Sequence, residues 1–123
     1  MNNISGKEAG FDLLERTFRF AADVRALVKR LPKTVANIED SKQVVRASGS
    51  IGANYREACD ALSKKDFVFR IKISRKDAKE CGYWLKLIDP GSSEDLRNEQ
   101  IRLAGESIEL MKIFGSIFRK STK

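Results

Sequence analysis

KKDFVFRIKISRKDAKECGYWLKLI, residues 64–88, decides how the rest of this chain reads. Projected at about 100° per residue, its side chains fall into three sectors. Phe67, Ile71, Ser74, Ala78, Cys81, Leu85 and Ile88 form one stripe, the width of a single buried helix face. Lys64, Lys65, Lys72, Arg75, Lys76, Lys79 and Lys86 fill the next third of the circumference, while the acids Asp66, Asp77 and Glu80 project elsewhere. Phe69, Ile73, Trp84 and Leu87 occupy the last sector, with Glu80 among them. This pattern predicts one helix over 64–88. Ser63 caps its start and Asp66 sits at the positive end of its dipole.

Helical periodicity continues on both sides. Leu13, Phe20, Val24, Leu27 and Leu31 recur at three- and four-residue steps, widened by Leu14, Phe18 and Val28, and predict a helix over about 10–31. A second tract, about 35–62, places Ile38, Val45, Ser48, Gly52, Tyr55, Cys59 and Leu62 on one side, beside Val44, Ala47, Ile51 and Ala58. Small residues crowd this stripe, so the helix is expected to sit centrally and close to its neighbours. After DPGSSED, Ser92 or Ser93 caps a fourth helix, about 93–119, built on Leu96, Leu103, Leu110, Met111, Phe114, Ile117 and Phe118. Both prolines, Pro32 and Pro90, fall where the periodicity lapses and mark connections. Residues 1–9 and the final Ser-Thr-Lys read as loose ends. No alternating strand pattern, repeat or low-complexity run interrupts this organisation. The expectation is a single all-α domain over 1–123, an antiparallel up-down-up-down four-helix bundle.

Composition narrows the chemistry. The 123 residues carry a net charge of +7 and no histidine. No run of about 18 apolar residues exists to cross a bilayer and no leader pattern opens the chain, so a cytoplasmic protein without membrane contact is expected. Cys59 and Cys81 lie in helical stripes without CxxC spacing and read as small buried residues. No glycine-rich loop follows a strand, and the Glu-x-x-His motif of di-iron bundles is impossible without histidine. No catalytic residue, metal site or cofactor is therefore predicted, and the chain reads as a non-enzyme.

SIGANYREA, residues 50–58, interrupts the second helix with polar groups. Arg46, Ser50, Ala53, Asn54 and Glu57 share a face away from the small-residue stripe. Arg46 and Glu57 lie about 16 Å apart along the axis and cannot pair with each other. With Glu80 they are expected to form a hydrogen-bonded polar belt, within the bundle or across a subunit interface. The GxxG at 49–52 has no strand context for clamping nucleic acid, and close helix packing accounts for it.

The run VVRASGSIGANYREACDALSKKDFVFRIKISRKDAKECGYWLKLI, residues 44–88, resembles the bacterial four-helix bundle proteins named for intervening sequences in 23S rRNA genes. The likeness spans about 13–118. It is strongest at Arg46, the S-I-G-A-N-Y-R-E-A core, the S-K-x-D-F turn and the E-x-x-Y-W-L-x-L ending. It implies a barrel-shaped homopentamer, with Asn54, Glu57 and Glu80 as signature positions. A related accessory protein of diversity-generating retroelements has a positive surface and binds nucleic acid and a reverse transcriptase. Arg75, Lys76 and Lys79 stand where other members carry acids, so an electrostatic role need not be shared across the family.

Two readings of the basic sector stay open. It is either a solvated lysine-rich face or a surface for RNA or DNA, with Lys72, Arg75, Lys76, Lys79 and Lys86 on phosphates. Its lysines offer point charges, and no interleaved aromatic is expected to stack bases, so binding would be nonspecific. Phe69, Ile73, Trp84 and Leu87 form either a self-association patch or the flank of one wide core. The alternative function is a structural or adaptor module whose partner is a protein, with the positive charge serving solubility.

Overall fold

Thr34, Ser63 and Ser93 each open a helix, their hydroxyls accepting from the backbone amides of Asn37, Asp66 and Leu96. This computed structural model describes the backbone of residues 6–123 and the side chains from Asp12 onward. It contains helices α1 (Gly6–Arg30), α2 (Val35–Cys59), α3 (Lys64–Leu87) and α4 (Glu94–Ser121), and no strand among the described residues. The loose end read for 1–9 lies largely outside the described residues, and α1 already includes Gly6. At the other end α4 continues to Ser121, with Thr122 as its cap. α2 stops at Cys59, three residues short of the expected 62. The Asp60 amide turns back onto the carbonyls of Arg56 and Glu57, which leaves Leu62 fully exposed in the loop.

Successive helices pack side by side and α1 closes against α4 by the thinnest contact. Residue numbers rise on one helix as they fall on its neighbour: Thr17 and Arg25 meet Gly52 and Gly49, Ile51 and Asn54 meet Ser74 and Arg70, and Arg75 and Gly82 meet Gly115 and Ser107. The helices therefore alternate in direction, as a four-helix bundle.

Each helix buries a seam spaced by alternating steps of four and three. On α1 it is Leu13, Thr17, Phe20, Val24, Leu27 and Leu31; on α3 it is Ile71, Ser74, Ala78, Cys81, Leu85 and Ile88. That spacing averages 3.5 residues per turn, the coiled-coil period. The seam is narrow, and this corrects three assignments. Phe18, read as widening the α1 stripe, is 70% exposed, and the adjacent inward place belongs to Thr17. Ile38 and Cys59, read as core on α2, are exposed as well.

Among the described residues every seam contains one buried serine or threonine: Thr17, Ser48, Ser74 and Ser107. Thr17 donates to the Leu13 carbonyl, Ser48 to Val45, Ser107 to Ala104, and Ser74 crosses to the Ile51 carbonyl of α2 at 2.9 Å. None is left to pay a desolvation cost unpaired. Beside these hydroxyls lie glycines that let backbones approach. A Cβ on Gly52 would stand 3.0 Å from Thr17 Oγ1 and 3.3 Å from Thr17 Cβ, and one on Gly82 would stand 3.0 Å from Ser107 Oγ.

One end of the bundle is fastened by Asn37, which is buried. Its Nδ2 donates to the carbonyls of Pro32 and Asp89, and its Oδ1 accepts from the Asp89 amide, so one side chain holds the α1–α2 and α3–α4 turns together. Gly91, at φ 70°, fits the second turn, where any side chain would be strained and a Cβ would meet Pro32 Cγ at 3.1 Å. Gln100 on α4 donates to the Leu85 and Ile88 carbonyls and so satisfies the end of α3. Among the described residues two ion pairs cross the thin α1–α4 side, Arg16 to Glu106 at 2.6 Å and Arg102 to Asp23 at 2.9 Å. Arg102 also holds the Glu99 carboxylate below its usual range by hydrogen bonding.

The seam packing predicts opposite signs for two glycine substitutions. Gly52→Ala should lower stability by about 1–2 kcal/mol, because overpacking against Thr17 exceeds the gain of about 1 kcal/mol in helix propensity. Gly105→Ala, whose Cβ meets nothing within 4 Å, should raise it by up to about 1 kcal/mol. Chemical denaturation of both variants would check this; a Gly52→Ala protein as stable as the parent would remove the case for a tight α1–α2 approach.

Candidate functional site

Helix α3 sits between α2 and α4, and those two neighbours take the flanks of its buried stripe. Ser74 and Arg70 face α2, whereas Gly82 faces Ser107 of α4. The remainder of the circumference is left outward. All seven basic residues of the sector, Lys64, Lys65, Lys72, Arg75, Lys76, Lys79 and Lys86, are exposed. The helix holds eight cations against three carboxylates, and the cations do not neutralise evenly. Lys76 Nζ lies 4.0 Å from Glu80, and Arg70 Nε lies 3.9 Å from Asp66. Glu80 therefore reaches the basic sector, contrary to the clean separation read from the helix projection, because residues four apart are surface neighbours. Lys72, Arg75, Lys79 and Lys86 have no carboxylate within 4.0 Å among the described residues.

A cation on the next helix extends this face. A Cβ on Gly115 would lie 3.3 Å from Arg119 Nη1 and 3.7 Å from Arg75 Nε, so both guanidinium groups lie over a spot where α4 has no side chain. Arg119 was missed in the sequence because it belongs to a different helix. The signal was the antiparallel pairing of the start of α3 with the end of α4, where the run FRK lies.

The polar residues of SIGANYREA are only partly brought together. Asn54 accepts from Arg70 Nη1 at 3.0 Å and donates to the Ser50 carbonyl and hydroxyl. Arg46 and Glu57 are exposed and make no side-chain hydrogen bond or ion pair among the described residues. A polar belt inside the bundle is therefore not formed. Their positions point almost opposite to the α2 seam, and desolvation imposes no demand there. Arg70, which the sequence reading did not single out, instead bridges the helices, with its Nε enclosed and without a hydrogen-bond partner among the described residues.

The apolar sector is divided. Trp84 packs against the core and Ile73 is half-buried, whereas Phe69 and Leu87 are 57% and 51% exposed. The wide-core reading thus accounts for Trp84 and leaves Phe69 and Leu87 uncovered. A second apolar feature is an open groove between α1 and α2, floored by Ala21, Gly49, Gly52 and Ala53 and edged by Phe18 and Arg56.

The buried thiol and phenol of the core are held in their protonated forms. Burial raises the Cys81 thiol far above its ordinary range, so it carries no thiolate near neutral pH. Burial, with the neighbouring Cys59, pushes the Tyr55 hydroxyl up to about 12. No group of three or more His, Cys, Asp or Glu side chains that could hold a metal exists among the described residues. No helix there is long and apolar enough to cross a membrane.

Comparison with known proteins follows the same lines. The sequence profile of the 23S rRNA-intervening sequence proteins matches residues 10–90. A crystal structure of a protein of unknown function from the S23 ribosomal protein family of Bacteroides thetaiotaomicron is similar at 31% identity and a TM-score of 0.72. The match covers 89% of this chain and 97% of that one. No curated protein matches.

The two thiols should separate in reactivity. In the native protein Cys59 alone should react with a disulfide reagent such as DTNB, and Cys81 only after unfolding, so the titration should rise from one thiol to two. Rapid native labelling of both would contradict the burial of Cys81.

Proposed function

The chain belongs to the 23S rRNA-intervening sequence protein family, and on that premise we propose that it is a non-enzymatic, self-assembling helical bundle that binds RNA or DNA through its basic face. The observation that carries this reading is the row of cations Lys72, Arg75, Lys79 and Lys86, unpaired among the described residues and joined by Arg119 over Gly115. Lys72 to Lys86 spans about 21 Å along the helix. Like charges so placed repel by a few tenths of a kcal/mol per pair, and a phosphate backbone relieves the repulsion while releasing counterions. Point charges on a helix read no base edges, so the binding is nonspecific. Lys76 contributes less than its neighbours, being paired with Glu80. The proposal puts this binding in the cytoplasm.

Self-assembly is supported by the exposed Phe69 and Leu87 on α3 and by the α1–α2 groove around Phe18. The resemblance implies a homopentamer, and a five-membered ring uses unlike faces on each subunit, since a self-complementary face closes a dimer. The ridge and the groove are two such faces. Arg46, Glu57 and Glu80, exposed in the single chain, are then the polar groups of the subunit contact, a setting in which their pairing would fix register. The adaptor reading is favoured by the same exposed apolar ridge, with another protein as its cover.

Gel shifts across a salt series test the first part. Lys72→Glu, Lys79→Glu and Lys86→Glu together should abolish binding to generic RNA and DNA. For the parent, log K should fall linearly with log salt; three lost contacts correspond to about 2–3 of that slope. Retained affinity in the triple variant, or salt-insensitive binding by the parent, points to the adaptor. For the second part, Glu57→Gln with Glu80→Gln should reduce the assembled mass in light scattering; unchanged mass and melting temperature would remove these carboxylates from the contact.

A further inference from the structure

Tyr83 stands among the lysines, and it is 61% exposed. Its helical neighbours three and four residues away are Lys79 and Lys86 together with Glu80 and Leu87, and Lys76 lies seven before. The first two lie within about 6 Å of rise, so their ammonium groups can reach phosphates on either side of whatever touches the ring. The expectation that no aromatic interrupts the basic sector is therefore wrong.

Nothing in the fold asks for a large exposed ring at this position. The α3 seam uses Cys81 and Leu85, and Gly82 supplies the close approach to α4. The ring is nonetheless held, because its centroid lies 5.0 Å from that of Trp84, edge to face at 80°, and Trp84 is itself packed on the core. A braced aromatic between point charges has the chemistry of a stacking platform: it loses little freedom on contact, and every base offers a face. A duplex keeps its base faces inside the stack, where a side chain on a rigid helix cannot meet them; an unpaired strand presents them.

We infer that the basic face takes single-stranded nucleic acid, with a base stacked on Tyr83 while Lys79 and Lys86 hold the flanking phosphates. This rests on the reading that the face binds a nucleic acid backbone, and it adds which form is bound and by what second contact. The lysines supply the salt-dependent attraction common to all strands. The tyrosine supplies a contact that only unpaired bases can make, without preference for sequence.

The test uses the full chain with a 15-nucleotide oligo(U) and a blunt RNA duplex of equal length. Tyr83→Ala should weaken oligo(U) binding by about 5-fold or more while leaving duplex affinity and the salt slope unchanged, and Tyr83→Phe should bind as the parent does. The protein's single tryptophan, Trp84, adjoins the ring and should report oligo(U) by a change in emission that Tyr83→Ala diminishes. Unchanged oligo(U) affinity in Tyr83→Ala, alongside lost binding in the lysine triple variant, overturns the stacking role and leaves the basic face standing. So does an equal loss on oligo(U) and duplex, or a Tyr83→Ala protein of altered mass in light scattering, which would make Tyr83 a subunit contact. Failure of the parent to bind either probe overturns the underlying reading and this one together.

Discussion

Close approach of neighbouring backbones, purchased by small side chains at the seam, is the constraint on which this bundle depends. Gly52 lies against Thr17, Ser74 reaches the Ile51 carbonyl, and Gly82 lies against Ser107, one such contact for each successive pair of helices. The large buried residues, among them Phe20, Leu27, Leu85 and Phe114, fill the seam positions above and below these contacts. The hydroxyls at these points bond mostly to their own helix, so they thin the seam without leaving a polar group unmatched. α3 shares this arrangement with two neighbours and is the most committed element of the fold.

That commitment explains why the outward part of α3 is chemically distinctive. With its flanks taken by α2 and α4, the rest of the helix contributes little to packing, and its composition is free to serve contacts with other molecules. It carries exposed cations on one side and exposed Phe69 and Leu87 on the other, with Glu80 and Lys76 paired along the boundary. Charge and apolar surface are thus separated on one rigid rod, so the contacts each favours can be made at the same time. The second helix presents the complementary case: Asn54 and Arg70 close the α2–α3 junction, while Arg46 and Glu57 stay outward and unpaired among the described residues.

Much of the architecture was legible because local signals and the heptad period agree. Ser63 and Ser93 cap the helices they were expected to cap, Pro32 and Pro90 lie in connections, and the buried stripe of α3 matches its sequence pattern, with Phe67 half-buried at its first turn. The errors share a physical origin. A helix in a bundle buries a narrow seam, so Phe18, Ile38 and Cys59, one position to the side, face solvent although their chemistry suits a core, and Thr17 is buried although its chemistry does not. The basic face was legible only within α3. Arg119 needed the pairing of two helices, whereas Tyr83 falls in the basic sector by projection alone, on the line of Lys65 eighteen residues before it.

Asn37 carries a consequence for how the molecule opens. Because its one amide group bonds both turns at the same end, neither hairpin can fray there without releasing the other, and the two halves of the chain are coupled into one cooperative unit. The opposite end has only the short α2–α3 connection and no comparable clasp among the described residues. Local unfolding, and with it amide exchange, is accordingly expected first at that end, near the first turn of α3, and last at the Asn37 end.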